Sequence, residues 1–193
     1  IKEIPALAFS SCRSLESIKL PNQIEKLGHH CLSDCENLTS LNLPENLKVL
    51  GEGVFYDCVN LEKVDLPKNL EIIGYNLFEN CKSLKKVNIP DSVKEIGDGA
   101  FCDCQSLKEI KLPENISEVP DDTFLGCTSL KRVTLPESVK VIGDSAFKMC
   151  EKLQRINFPE GLKYIKNKAF ENCDGINEIS LPSSVKSIGD FAF

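Results

Sequence analysis

A repeat solenoid with a parallel β-sheet on one face is the fold class this sequence predicts. Two observations predict it. The chain of 193 residues repeats every 23 residues without an insertion or deletion, and every repeat carries the same apolar slots. Phe9 starts one column, and steps of 23 lead through Leu32, Phe55, Phe78, Phe101, Phe124, Phe147 and Phe170 to Phe193. Three residues after the first eight of these stand Cys12, Cys35, Cys58, Cys81, Cys104, Cys127, Cys150 and Cys173. Prolines keep the same step from Pro21 to Pro182.

The unit reads L-x-x-I-x-L-P-x-x-L-x-x-I-G-x-x-A-F-x-x-C, with two residues before the next Leu. Its first part is a strand, because Ile18 and Leu20 alternate with Lys19 at a period of two. One 23-residue unit cannot bury its apolar slots alone, whereas stacked units bury each slot against its equivalents above and below. Parallel strands of successive units then form a ladder rising about 4.8 Å per unit, or about 40 Å for eight. Proline ends each strand because it has no N–H to give the ladder. Gly28, Gly51, Gly74, Gly97, Gly143 and Gly189 mark a turn expected to need a positive φ. Pro5, Pro120 and Lys166 stand in that slot in other units, so their turns are expected to differ. Cys31-Leu32 in place of Ala-Phe, and Val54, Leu77 and Thr123 in place of Ala, read as alternative fillings of interior slots. The whole is a leucine-rich-repeat solenoid of about eight 23-residue repeats. The parallel sheet lies on one face, with turns and short irregular or helical segments on the other.

The segment LPESVKVIGDSAFKMCEKLQRI, Leu135 to Ile156, resembles the BspA-like (treponemal-type) leucine-rich repeat, and the resemblance covers the whole chain. It implies a family commonly surface-exposed or secreted, in bacteria and some protozoan parasites. Several of its members are associated with adhesion to host matrix proteins or to other cells. Residues 1–193 read as a single array. It begins at Ile1 part-way through a unit and stops at Phe193 without a recognisable polar cap, so a fragment cut within a repeat at both ends is expected.

Composition narrows the function classes. Apolar residues make up 41% and charged ones 27%, as in a soluble folded chain. No run of 18 apolar residues offers a membrane span. A net charge of −6 and 7% aromatic residues, with no Trp, argue against nucleic acid as a partner. No P-loop, G-x-S-x-G or G-x-G-x-x-G motif occurs, so no cofactor is expected and an enzyme is the remote alternative.

The ten cysteines read as a ladder of buried thiols. Parallel Cβ vectors disfavour disulfides between rungs, and a line of ligands disfavours tetrahedral zinc. Cys102 lies off the ladder, in a slot filled elsewhere by Ser10, Tyr56, Glu79 and Lys148. It is therefore expected to be exposed and the most readily labelled thiol. His29, His30, Cys31 and Cys35 look like a metal set on paper, but interior thiols and surface imidazoles should diverge, and no metal site is expected.

The strand face is the candidate binding surface. Its outward positions in the middle units hold Lys85, Lys86, Lys108, Lys111, Lys131, Arg132 and Arg155 against the single Glu109. Lysine on exposed strands also serves simply to solvate them and to block unwanted pairing. Separation of sign on a globally acidic chain, however, suits an acidic partner, either a protein segment or an anionic glycan. A non-catalytic binding scaffold on a cell surface or in secretion is the leading expectation. A structural spacer presenting another domain is the alternative, and unpaired cysteines are also compatible with the cytoplasm.

Overall fold

The structure, a computed structural model, describes all 193 residues and is the expected parallel β-solenoid. No helix forms, so the sides away from the strand face are built from turns and a second set of strands. Fourteen short strands lie in two columns that run along the solenoid.

One column is the expected strand face. It comprises β3 (Ser40–Asn42), β5 (Lys63–Asp65), β8 (Glu109–Lys111), β10 (Arg132–Thr134) and β12 (Arg155–Ile156). Pairing is parallel with no slip: Leu41 sits beside Val64, and Ile110 beside Val133 beside Ile156. Lys86 joins this column through a single bridge to Lys63. Within each strand the central residue is buried and its neighbours face out, as period-two alternation requires.

The other column is additional to the expected sheet. It forms where each coil passes through the apolar residue before the Gly slot. β1 (Glu3–Ile4), β2 (Lys26–Leu27), β4 (Val49–Leu50), β6 (Ile72–Ile73) and β7 (Glu95–Ile96) make one sheet. β9 (Glu118–Val119), β11 (Val141–Ile142), β13 (Tyr164–Ile165) and β14 (Ser187–Ile188) make its continuation. The break between them has a plain cause. At each equivalent position the N–H donates to the preceding coil, as Gly97 does to Ile73 at 2.9 Å and Gly143 to Val119 at 2.8 Å. Pro120 has no N–H to donate. The strand-face column opens between the same two coils, where β8 has no strand partner on its Val87 side. A third set of backbone bonds, along the turns, stays closed there: Phe78 donates to Ala100 (2.8 Å) and Phe101 to Thr123 (2.9 Å).

Identical residues stack between the ladders. Rings of Phe55, Phe78, Phe101, Phe124, Phe147, Phe170 and Phe193 form a continuous column, with neighbouring centroids 5.1–5.5 Å apart and planes within 16° of parallel. That spacing is within the favourable range for aromatic pairs. The first six of these rings are fully buried, as are the substitutes Cys31, Leu32, Val54, Leu77 and Thr123. Thr123 settles its hydroxyl by donating to the Pro120 carbonyl at 2.7 Å.

The Gly slot answers to a different constraint from the one expected. Gly28, Gly51, Gly74, Gly97, Gly143 and Gly189 do not adopt positive φ. They are needed because coils touch there: a Cβ on Gly74 would lie 2.5 Å from the Gly51 carbonyl carbon, and one on Gly28 would lie 2.5 Å from Ala6 N. Positive φ falls instead in two other columns. One runs two residues after the slot, through His30, Gly53, Asn76, Gly99 and Asp122. The other stands just before each cysteine, through Asp34, Asp57, Asn80, Asp103 and Gly126. Asp, Asn and Gly tolerate the left-handed region best.

Removal of one ring from the stack tests whether the column behaves as a core. Phe101→Ala should cost about 3–5 kcal/mol in denaturant unfolding, while Phe101→Leu, the filling found at Leu32, should cost much less. A loss below about 1 kcal/mol for the alanine variant would contradict tight stacking.

Candidate functional site

All seven cationic positions singled out on the strand face are solvent-exposed and lie on consecutive coils. β10 and its neighbours put Glu109, Arg132 and Arg155 side by side, and Lys111 beside Thr134. Three of the seven are engaged in ion pairs: Lys85 with Glu62 at 2.8 Å, Lys111 with Glu114 at 3.2 Å, and Arg132 with Glu109 at 2.9 Å. Pairs this exposed add little stability. Lys86, Lys108, Lys131 and Arg155 have no carboxylate partner. The field of the band is therefore only partly cancelled by its own neighbours.

A furrow of about 840 Å³ is lined by Lys131, Arg132 and Arg155 together with Glu151, Asp174 and Glu178, and two smaller ones follow the band. One, of about 390 Å³, lies where the ladder is open, bordered by Lys86, Val87, Asn88, Ile110, Lys111 and Arg132. Another, of about 400 Å³ and without apolar lining, runs between Lys85, Lys108, Lys131 and Gln154. Neither encloses a reacting group, and no group of three or more His, Cys, Asp or Glu side chains is placed to hold a metal ion.

The thiols are organised as a structural ladder. Seven of them donate to a carbonyl of the preceding coil 26 residues back, from Cys35 to Phe9 at 3.3 Å through to Cys173 to Phe147 at 3.0 Å. S–H is a weak donor, and here it ties the cysteine column to the phenylalanine column. Burial pushes the Cys58 thiol up to about 12 and the Cys35 thiol up to about 11. Cys102 corrects the sequence-based expectation. It is buried at 8% exposure, beneath a turn rich in acidic residues, and burial with Asp103 and Glu79 nearby raises it to about 12. The exposed thiol is Cys12, whose column loses its cover at the first coil, and Cys173 is half-buried at the other end.

The histidines turn away from the thiols. His29 Nδ1 accepts the Glu52 N–H at 3.2 Å, and both imidazoles face the Glu52 carboxylate, at 3.7 and 3.8 Å. His29 thus does what Asp121, Asp144 and Asn167 do on later coils: each accepts the backbone N–H of the residue one coil on, at 2.8–2.9 Å. Lys166, at a Gly slot, reaches across two coils to Asp121 at 3.0 Å.

Comparison with known proteins agrees with this architecture. The family described as "BspA type Leucine rich repeat region" matches in six copies, over residues 1–107 and 71–193. A leucine-rich repeat protein of T. pallidum is 36% identical, with a TM-score of 0.77, covering 79% of this chain and 72% of that one. One from Bacteroides ovatus is 30% identical at a TM-score of 0.77, covering 97% of this chain and 57% of its own. The chain thus spans little more than half of the B. ovatus protein. A leucine-rich cell surface protein from Faecalibacterium prausnitzii is 24% identical with a TM-score of 0.53, covers 100% of this chain and 68% of its own, and shares the fold. Among curated proteins no match is found.

Two measurements check the thiol assignment. Under native conditions Cys12 should react first with a thiol reagent, Cys173 more slowly, and the other eight only on unfolding; Cys102 reacting as fast as Cys12 would contradict the burial. The second is pH dependence. A thiol raised from 9.0 to about 12 on folding keeps its stabilising contribution below pH 9 and loses it as pH rises toward 12. Cys58→Ala should therefore flatten the decline in unfolding midpoint across that window, and an unchanged slope would count against it.

Proposed function

The chain belongs to the BspA-type leucine-rich-repeat family, and on that premise we propose that it is a non-catalytic binding scaffold, exposed on a cell surface or secreted, whose strand face receives an acidic partner. The observation that carries this reading is the band of exposed cations on consecutive coils, four of them unpaired, in a chain of net charge −6. Fields of this kind raise encounter rates with ligands of opposite sign. Support for a surface location comes from the resemblance to a family whose members are commonly surface-exposed. The scaffold's uniform coils and the furrows' lack of converging nucleophile, acid or base favour binding over catalysis. A spacer is the second reading. Under it, the cations only solvate the strands.

The two readings separate in one capture experiment from extracellular-matrix and host-cell extract. The array is compared with a variant carrying Lys86→Glu, Lys108→Glu, Lys131→Glu and Arg155→Glu. The binding reading expects a partner held by the native face and lost by the variant. Identical catches, or none, favour the spacer.

A further inference from the structure

Lys85, Lys108 and Lys131 occupy the same position on three successive coils, so they form a row parallel to the solenoid axis. With a coil rise of about 4.8 Å this row spans about 10 Å. Lys86, Arg132 and Arg155 flank it in the next column, where Arg132 neutralises the one intervening carboxylate, Glu109. The charges are thus periodic along the axis rather than clustered at a point.

The backbone is open in the middle of this band. Lys85 N–H donates to Glu62 at 3.1 Å and Lys131 N–H to Lys108 at 2.8 Å, but Lys108 N–H makes no such bond. The strand ladder is interrupted at the same place, between the Val87 and Ile110 coils, where a furrow is bordered by Lys86, Ile110 and Lys111. A peptide N–H without a carbonyl partner, on a coil flanked by two others that carry lysine at the same position, favours an anion.

The same face lacks what other partners need. None of its outward positions, from Glu16 on the first coil to Ser180 on the last, carries an aromatic or large aliphatic side chain. Protein interfaces are anchored by buried aromatic and apolar residues inside a polar rim, and the outward positions of this face are all polar or charged. There is no plate on which bases could stack.

From these observations we infer that the partner is a linear sulfated glycan lying along the solenoid axis over the Lys85–Arg155 band, with successive anionic groups meeting successive coils. The inference rests on the proposed role of the strand face and adds the ligand's chemistry and direction. A sulfated chain is a permanent polyanion without apolar demand, and a row of coils gives it one cation per step.

The test uses fluorescent heparin-derived oligosaccharides of graded length and reads affinity by anisotropy at several salt concentrations. Affinity should grow with length until the chain spans the four basic coils, and then level off. Lys108→Gln with Lys131→Gln and Arg155→Gln should weaken binding about tenfold, taking each contact as a modest exposed pairing. Lys48→Gln with Lys68→Gln and Lys140→Gln, exposed cations off the strand face, should leave it unchanged. All six side chains are exposed, and circular dichroism melts of both variants check that they fold. Equal losses from the two triple variants would overturn the inference in favour of net charge. So would no binding, or tighter binding of a polyglutamate peptide, a carboxylate-only glycan or duplex DNA of equal charge. If the glycan fails to bind while matrix capture still depends on the face, this inference falls and the binding role stands. If capture fails as well, both fall.

Discussion

Backbone hydrogen bonds from each coil to the next fix the length of every coil. A turn-side N–H reaches the carbonyl 22 residues ahead, from Leu7 to His29 at one end through to Phe170 to Ala192 at the other. One added residue would leave those donors facing the wrong acceptors and rotate every apolar side chain out of its column. The strict 23-residue period is the sequence's answer to that constraint. Given it, like residues stack on like. Phenylalanine rings meet at 5.1–5.5 Å, and cysteine thiols find the carbonyls beneath them. Six of the eleven glycines stand in the slot where one coil's backbone rests on the next.

The register that orders the core also orders the surface. A side chain repeated at one position becomes a row, so the lysines of three coils line up without any loop or insertion to gather them. Most of the chain's carboxylates lie elsewhere, including the turn-side group around Asp57, Glu79, Asp103 and Asp122. Burial there, reinforced by neighbouring carboxylates, holds Glu79 and Asp122 above the usual carboxylate range. One interruption of the strand-face ladder sits inside the basic band, between the two coils whose other strand ladder lacks the N–H that Pro120 cannot supply. The N–H that starts each strand lacks its carbonyl partner at Thr39, Lys108 and Asn177, and the second of these lies among the basic coils.

Much of this was legible in the sequence because periodicity reports which residues share a slot. The Phe and Cys columns, the strand at L-x-x-I-x-L and the exposed cations of Lys85 to Arg155 all followed from counting. What counting does not give is the relation between one coil and the next. The second ladder at Leu27, Leu50 and Ile73 was hidden because two residues are too short for an alternation signal. The glycine column reads in the sequence as a turn needing positive φ, whereas its constraint is contact with the coil beneath. The true left-handed columns left a trace in Asp34, Asp57, Asn80 and Asp103 before their cysteines. The slot of Cys102 reads as exposed in the sequence because Tyr56 and Glu79 fill it elsewhere with long polar side chains, whereas a short thiol there stays covered. No pattern marks the Lys108 N–H as lacking its carbonyl partner, since the interruption shows only once β8 lacks a partner on its Val87 side.

In the proposed role, recognition depends on cations held in axial register rather than on the chain's total charge. Solenoid coils can be rearranged as units, because each packs only on its neighbours. The most direct measurement is therefore sulfated-glycan affinity of a permuted array, in which the coil bearing Lys131 and Arg132 is exchanged with the one bearing Thr39, Ser40 and Asn42. Composition, net charge and number of coils are unchanged, and thermal unfolding checks that the permuted array folds. Dependence on axial register predicts that affinity falls about as far as it does when the band's cations are neutralised. Undiminished affinity in a folded permuted array would contradict it.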